Sequence, residues 1–255
     1  MLLQDKTAIV YGAAGHIGSQ VARTFAREGA RLFLAGRTPD RLQALARELG
    51  ADWATLDVLD EAAVERHAAG VAAKAGRIDV SLNAASIRGD LQGTPLLDMP
   101  LADFMAPVET GVRANFLTMR GAARHMVRQR RGVILALSAT SAGLSGRDRV
   151  YHKTGGFAVA CTAIEAMVRT FAGELGRHGV RVVCLRSDAL PETWPPEAQV
   201  EYRETRDYMD AGTALGRLPR IAEVADAAAF AASDRAGAMT GAIVNLTCGS
   251  IMDAD

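Results

Sequence analysis

The feature that most constrains this chain is an alternation. Short apolar runs recur along it, several rich in β-branched residues, and most are followed by a stretch with apolar residues at helical spacing. TAIVYG (7–12) precedes SQVARTFAREGA, RLFLAG precedes PDRLQALARELG, and ADWATLDV precedes a helical stretch over 60–75. IDVSLNAA leads into a long helical pattern from about 101 to 130, and GVILALSA leads into another at about 155–177. GVRVVCLRS, the helical AEVADAAAFAAS and a last strand, GAIVNLTCG, close the series. Strands that are apolar along their whole length are buried on both faces, and strands joined through helices run parallel. The pattern predicts an α/β fold, Rossmann-like and doubly wound. It has a parallel sheet of about seven strands with helices on both faces, in a single domain over 1–255.

At 255 residues the chain can bury a full core. Lys+Arg and Asp+Glu balance at 29 each, so charge gives no reason to expect nucleic acid as a partner. Cys161, Cys184 and Cys248 have neither disulfide nor zinc spacing, which points to a reducing compartment and a cytoplasmic location. MLLQDKTAIVYG lacks the layout of a secretory leader, and no run of about 18 apolar residues suggests a membrane span. No metal site is expected.

The first strand–helix turn carries the strongest chemical signal. YGAAGHIG sets Gly12, Gly15 and Gly18 around His16 and Ile17. Glycines there allow a tight turn and let backbone approach a pyrophosphate, which the helix N-terminus attracts through free N–H groups and its dipole. The next strand ends in LAGR. An acidic residue there would bind the ribose 2′-hydroxyl of NAD, but Gly36 and Arg37 stand in its place. A guanidinium suits a 2′-phosphate, so NADP(H) is expected in preference to NAD(H). Asp57-Val58 follow the third strand, and Asn83-Ala84-Ala85-Ser86 follow the fourth.

With these residues in place, the chain resembles the short-chain dehydrogenase/reductase family over nearly its whole length. Asp57-Val58 match the family pair that borders the adenine. Asn83-Ala84-Ala85-Ser86 look like its Asn-Asn-Ala-Gly, and GRLPRIAEVADAAAFAASDRAGAMTGAIVNLTCGS is similar to its C-terminal stretch. The Gly-x-x-Gly-x-x-Gly spacing is the one found in the family's longer members. The resemblance implies a nicotinamide cofactor and a catalytic set of Asn, Ser, Tyr and Lys. In that set the Tyr exchanges a proton with the substrate oxygen and the Lys lowers its pKa.

This chain departs from that set. TAIEAMVRTFAGEL aligns without a gap to the helix that follows the family Lys, which puts Phe157 at the Tyr position and Cys161 at the Lys position. Tyr151 and Lys153 are two residues apart, about 200° around a helix, and cannot face one way. They are expected in an enlarged loop over 144–156, since TGG is a poor helix interior. Lys6 and Lys74 are the only other lysines. The family Asn falls on Gly111, with Asn115 one turn later, and the family Ser falls on Ala139, with Ser138 beside it. Ser187-Asp188 replace the Pro-Gly after strand six.

Three readings follow. The first is an NADP(H)-dependent oxidoreductase acting on a small, apolar carbonyl or related substrate. Ser138 and Tyr151 are its substitute catalytic groups, and His152 is an alternative proton donor. The second is a protein that binds NADP(H) or a small molecule without turnover. The third is a non-redox enzyme that would draw on Ser138, Arg147, Arg149 and Tyr151. Cys161 reads as a small core residue rather than a nucleophile. Residues 187–212, with Trp194, Tyr202 and Tyr208, are expected to form a substrate lid. A homotetramer or homodimer is expected through the two long helices, with Ala158, Ile164, Ala166 and Phe171 on the second.

Overall fold

A computed structural model describes residues 1–140, 152–197 and 202–252. Seven parallel strands form one sheet: β1 (Thr7–Tyr11), β2 (Arg31–Gly36), β3 (Asp52–Thr55), β4 (Val80–Asn83), β5 (Gly132–Ala139), β6 (Val180–Ser187) and β7 (Ile243–Leu246). Their order is β3-β2-β1-β4-β5-β6-β7. The chain runs outward from β1 to β3 and then returns to build the other half from β4. The order therefore reverses between β1 and β4, and crevices for ligands in such sheets open at that point, beyond the carboxyl ends of the strands.

The helices are α1 (His16–Arg27), α2 (Pro39–Leu49), α3 (Glu61–Ala75), α4 (Leu101–Gln129), α5 (Gly155–Leu175), α6 (Arg203–Ala211) and α7 (Ile221–Ala232). Local chemistry sets several of their ends. Pro39 opens α2, where its missing N–H has no partner to lose. The Asp60 carboxylate accepts the Ala63 N–H at 3.0 Å and caps α3. Gly50 and Gly76 take the left-handed conformation that ends α2 and α3.

Alternate strand residues feed two cores. Ile9, Ile134 and Val182 pack on the face covered by α3, α4 and α5, with Val64, Met126, Ile164 and Val168. Val10, Leu135 and Val183 pack on the opposite face under α1, α2 and α7, with Val21, Phe25, Leu42 and Ala228. This two-sided burial is why the strands read as continuous apolar runs.

Two expectations need correction. Helix α5 begins at Gly155, so the last two residues assigned to the loop are its first turn. Crowding explains the glycines there. A Cβ on Gly156 would overlap the Phe104 carbonyl oxygen, and one on Gly155 would lie 2.5 Å from the Met99 methyl. Ile164, expected on an outward face, is fully buried against the sheet, whereas Ala166 is exposed. The stretch 155–178 is also long and apolar enough to cross a membrane by length and composition, at mean hydropathy 1.2. In this fold it packs on α4, β5 and β6.

Candidate functional site

The turn after β1 is built by close approach. Gly12 has φ +71°, and a Cβ there would lie 2.5 Å from the backbone of Ala84 and of Ala85. Only glycine fits, because the turn presses on the end of β4. A Cβ on Gly18 would run into the Gly12 carbonyl oxygen, so α1 sits directly on the turn. The Gly15 N–H donates to the Gly12 carbonyl at 3.0 Å and Gly15 caps α1, with no side chain on the helix's first N–H groups. His16 is exposed on the first turn, and Ile17 packs inward against Leu190, Ile221 and Val224.

The neighbouring strand ends supply the rest of this crevice. The Ala84 N–H donates to the Tyr11 carbonyl at 2.9 Å, and the Asn83 side-chain oxygen accepts the Ala85 N–H at 3.1 Å. Those bonds hold Asn83, Ala84 and Ala85 against the glycine turn. At the end of β2, Arg37 is exposed and makes no hydrogen bond or ion pair with the described residues. Asp57 is also exposed, its carboxylate accepting the Leu59 N–H at 3.0 Å, while Val58 is buried. The cradle fits a dinucleotide. The first N–H groups of α1 carry no side-chain cap, no Cβ fills the space at Gly12, and Arg37, without a hydrogen-bond or ion-pair partner among the described residues, stands two strands from β4.

The catalytic candidates are placed differently from one another. Tyr151, Arg147 and Arg149 lie outside the described residues. Lys153 is exposed just before α5, and its carbonyl accepts the Gly93 N–H at 2.8 Å. Phe157, in the first turn of α5, packs over Gly89. Cys161, one turn later, is buried. Gly111 lies where α4 approaches Ala160 of α5, and a Cβ there would press on Ile87. The Asn115 amide donates to the Gly111 carbonyl at 2.9 Å, while its own oxygen is buried without a hydrogen bond among the described residues. Ala139 carries no hydroxyl.

Ser138 has an internal partner. It is buried, and its hydroxyl donates to Glu165 Oε1 at 2.7 Å. Arg186 donates to the same carboxylate twice, from Nε to Oε1 and from Nη2 to Oε2, each at 2.7 Å. The Cys184 thiol donates to the Ser138 oxygen at 3.2 Å, and burial pushes its pKa up to about 12, so it stays protonated. A substrate oxygen seeking the Ser138 proton would have to compete with the Glu165 side chain. The signal for this cluster is in the sequence, as a lone Glu in TAIEAMV and a lone Arg in VVCLRS. Two opposite charges in apolar segments seek each other when both are buried.

A further residue takes a prominent place at the carboxyl end of β6. Asp188 is buried, accepting the Ala189 N–H at 2.7 Å and the Thr140 hydroxyl at 3.4 Å, both on Oδ1.

Known proteins place this architecture. A family model described as "Enoyl-(Acyl carrier protein) reductase" matches residues 12–250. Tropinone reductase-like 1 of Erythroxylum coca is 33% identical over 94% of this chain and 88% of that protein. L-rhamnose 1-dehydrogenase (NAD(P)(+)) of Azotobacter vinelandii is 32% identical over 95% of each. A solved short-chain type dehydrogenase/reductase from Mycobacterium ulcerans superposes with a TM-score of 0.86 at 25% identity, over 98% of this chain and 91% of that one. The seven-stranded parallel sheet, the glycine turn at its switch point and these matches show that the chain belongs to the short-chain dehydrogenase/reductase family, whose reductases and dehydrogenases use NAD(P).

Proposed function

We propose that this protein is an NADP(H)-dependent oxidoreductase of a small, apolar carbonyl or related substrate that works without the usual Tyr/Lys pair. The observation that carries the reading is the cradle. Gly12 admits no side chain, α1 opens onto it, and Arg37 stands exposed without an ion-pair partner among the described residues. Gly12, Gly15, His16, Ile17 and Gly18 would hold the pyrophosphate, Arg37 the 2′-phosphate, and Asp57 and Val58 the adenine side. Asn83, Ala84 and Ala85 would line the path toward the nicotinamide. Bound there, the cofactor supplies the hydride.

The protein's share is to position the substrate and move one proton. With Phe157 and Cys161 on α5, neither a phenol nor an ammonium comes from that helix. Tyr151, outside the described residues, is the proton donor we assign. Ser138 acts one step back, fixing the end of β5 through Glu165. Residues 187–212, of which 198–201 lie outside the described residues, would serve as the lid, and the active form is a homodimer or homotetramer in a reducing, cytoplasmic setting. The test is NADPH oxidation against a panel of ketones and aldehydes. Turnover is expected, and Tyr151→Phe should slow it at least tenfold with NADPH binding unchanged.

One observation favours a second reading, NADP(H) binding without turnover. The first turn of α5 presents an aromatic ring that packs on Gly89, and a buried thiol stands one turn on. Binding of NADPH with no oxidation by any carbonyl would select it.

A further inference from the structure

The carboxyl ends of β5, β6 and β7 bring Thr140, Asp188 and Cys248 together on the side of the sheet where ligands of such folds bind. Asp188 follows β6 directly. Its side chain is only 7% exposed in residue terms. Oδ1 is occupied by the Ala189 N–H and the Thr140 hydroxyl. Oδ2 takes no hydrogen bond from the described residues, and no Lys, Arg or His among them forms an ion pair with Asp188. That oxygen still touches solvent, so it is the polar edge that Asp188 offers to a ligand.

Two other carboxylates stand near by, and each has an arginine. Asp188, Asp210 and Glu223 all act on the Cys248 thiol as negative neighbours, against Arg217 alone. Arg217 is itself held by Glu223 through two bonds, of 2.9 and 2.6 Å. Asp210 spends one oxygen on the Leu218 N–H at 2.6 Å and faces Arg206 at 3.6 Å on the other. Of these three carboxylates, Asp188 is thus the one without an arginine partner among the described residues.

We propose that Asp188 is the substrate-recognising anion of this site, and that it selects a substrate carrying a protonated amine over its neutral or carboxylate-bearing analogues. The proposal rests on the oxidoreductase reading above and replaces the apolar substrate named there with an amine-bearing one. A cationic N–H donated to Oδ2 would complete the carboxylate's bonding and neutralise its charge. An anionic substrate would meet like charge at short range.

Three ketones of similar shape test this: N-methyl-4-piperidone, 4-methylcyclohexanone and 4-oxocyclohexanecarboxylate, titrated calorimetrically at pH 7 into protein loaded with NADP+, which has no hydride to transfer. The expected order is the piperidone tightest, by at least tenfold over the neutral ketone, with the carboxylate weakest. Asp188→Asn should bring the first two within about threefold while NADP+ binding is kept. Equal binding of all three, binding of none, or a preference that survives in Asp188→Asn overturns the proposal. If the variant does not fold, the order on the wild-type protein still decides. Failure of NADP+ itself to bind is a separate result, and it sinks the underlying oxidoreductase reading instead.

Discussion

Two glycines show how different the demands on one residue type are. At Gly12 a Cβ would meet the backbone of Ala84 and Ala85 at 2.5 Å, on a left-handed φ of +71°. At Gly36 the nearest atom to a Cβ is a Leu42 methyl at 3.7 Å, an ordinary contact. Gly12→Ala should therefore abolish the rise in melting temperature that NADPH gives, whereas Gly36→Ala should change stability by less than about 1 kcal/mol. Thermal melts with and without NADPH check both. His67 offers a pH test. It lies on α3, 3.4 Å from the Tyr11 hydroxyl, and burial lowers its pKa from 6.5 to about 4. The folded protein keeps this imidazole neutral, whereas the unfolded chain protonates it near pH 6.5. Stability from this group is thus complete above pH 6.5 and falls as pH drops toward 4. At about 1.4 kcal/mol per pH unit the loss is up to about 3 kcal/mol, levelling off below pH 4. Urea midpoints between pH 4 and 7.5 should show that slope, and His67→Asn should flatten it.

At the scale of elements, the Ser138–Glu165–Arg186 cluster ties α5 to β5 and β6. Breaking one side of a buried ion pair strands a charge, whereas replacing both sides by apolar groups can be neutral. Glu165→Gln should cost on the order of 3 kcal/mol, and Ser138→Ala about 1 kcal/mol. The double variant Glu165→Met/Arg186→Met should be more stable than Glu165→Gln, as chemical denaturation would reveal. This tie is where the sequence was least legible. Strand and helix periods announced β5, α5 and β6, but periodicity says nothing about which buried charges pair. It also said nothing of how closely α5 approaches the start of α4. That approach is why TGG, a poor helix interior by propensity, opens α5. Tertiary crowding at Met99 and Phe104 outweighed the helix cost of two glycines.

For the whole molecule, the alternation of strands and helices was enough to read the sheet, because each parallel strand must be covered on both faces. The glycine turn was legible too, since its spacing is a backbone requirement rather than a matter of distant contacts. Asp188 was visible only as a departure from a family pattern, and its bonding depends on Thr140, 48 residues earlier. Association can be tested from the same view. Phe116 on α4 and Val159 on α5 are exposed apolar residues on the helix pair expected to join subunits, and Phe116 stacks edge-on against Phe171 at 6.2 Å. If the dimer forms there, Phe116→Glu should reduce the mass measured by light scattering to that of one chain.

The central claim is that a phosphate-reading cofactor site persists here beside an altered proton machinery. Its most direct measurement is a paired titration of NADPH and NADH, monitored by nucleotide fluorescence, into the wild-type protein and Arg37→Ala. We expect NADPH to bind at least tenfold more tightly than NADH to the wild type, and Arg37→Ala to remove that preference by weakening NADPH alone. Equal affinities in the wild type, equal losses in the variant, or no binding of either nucleotide would contradict the account.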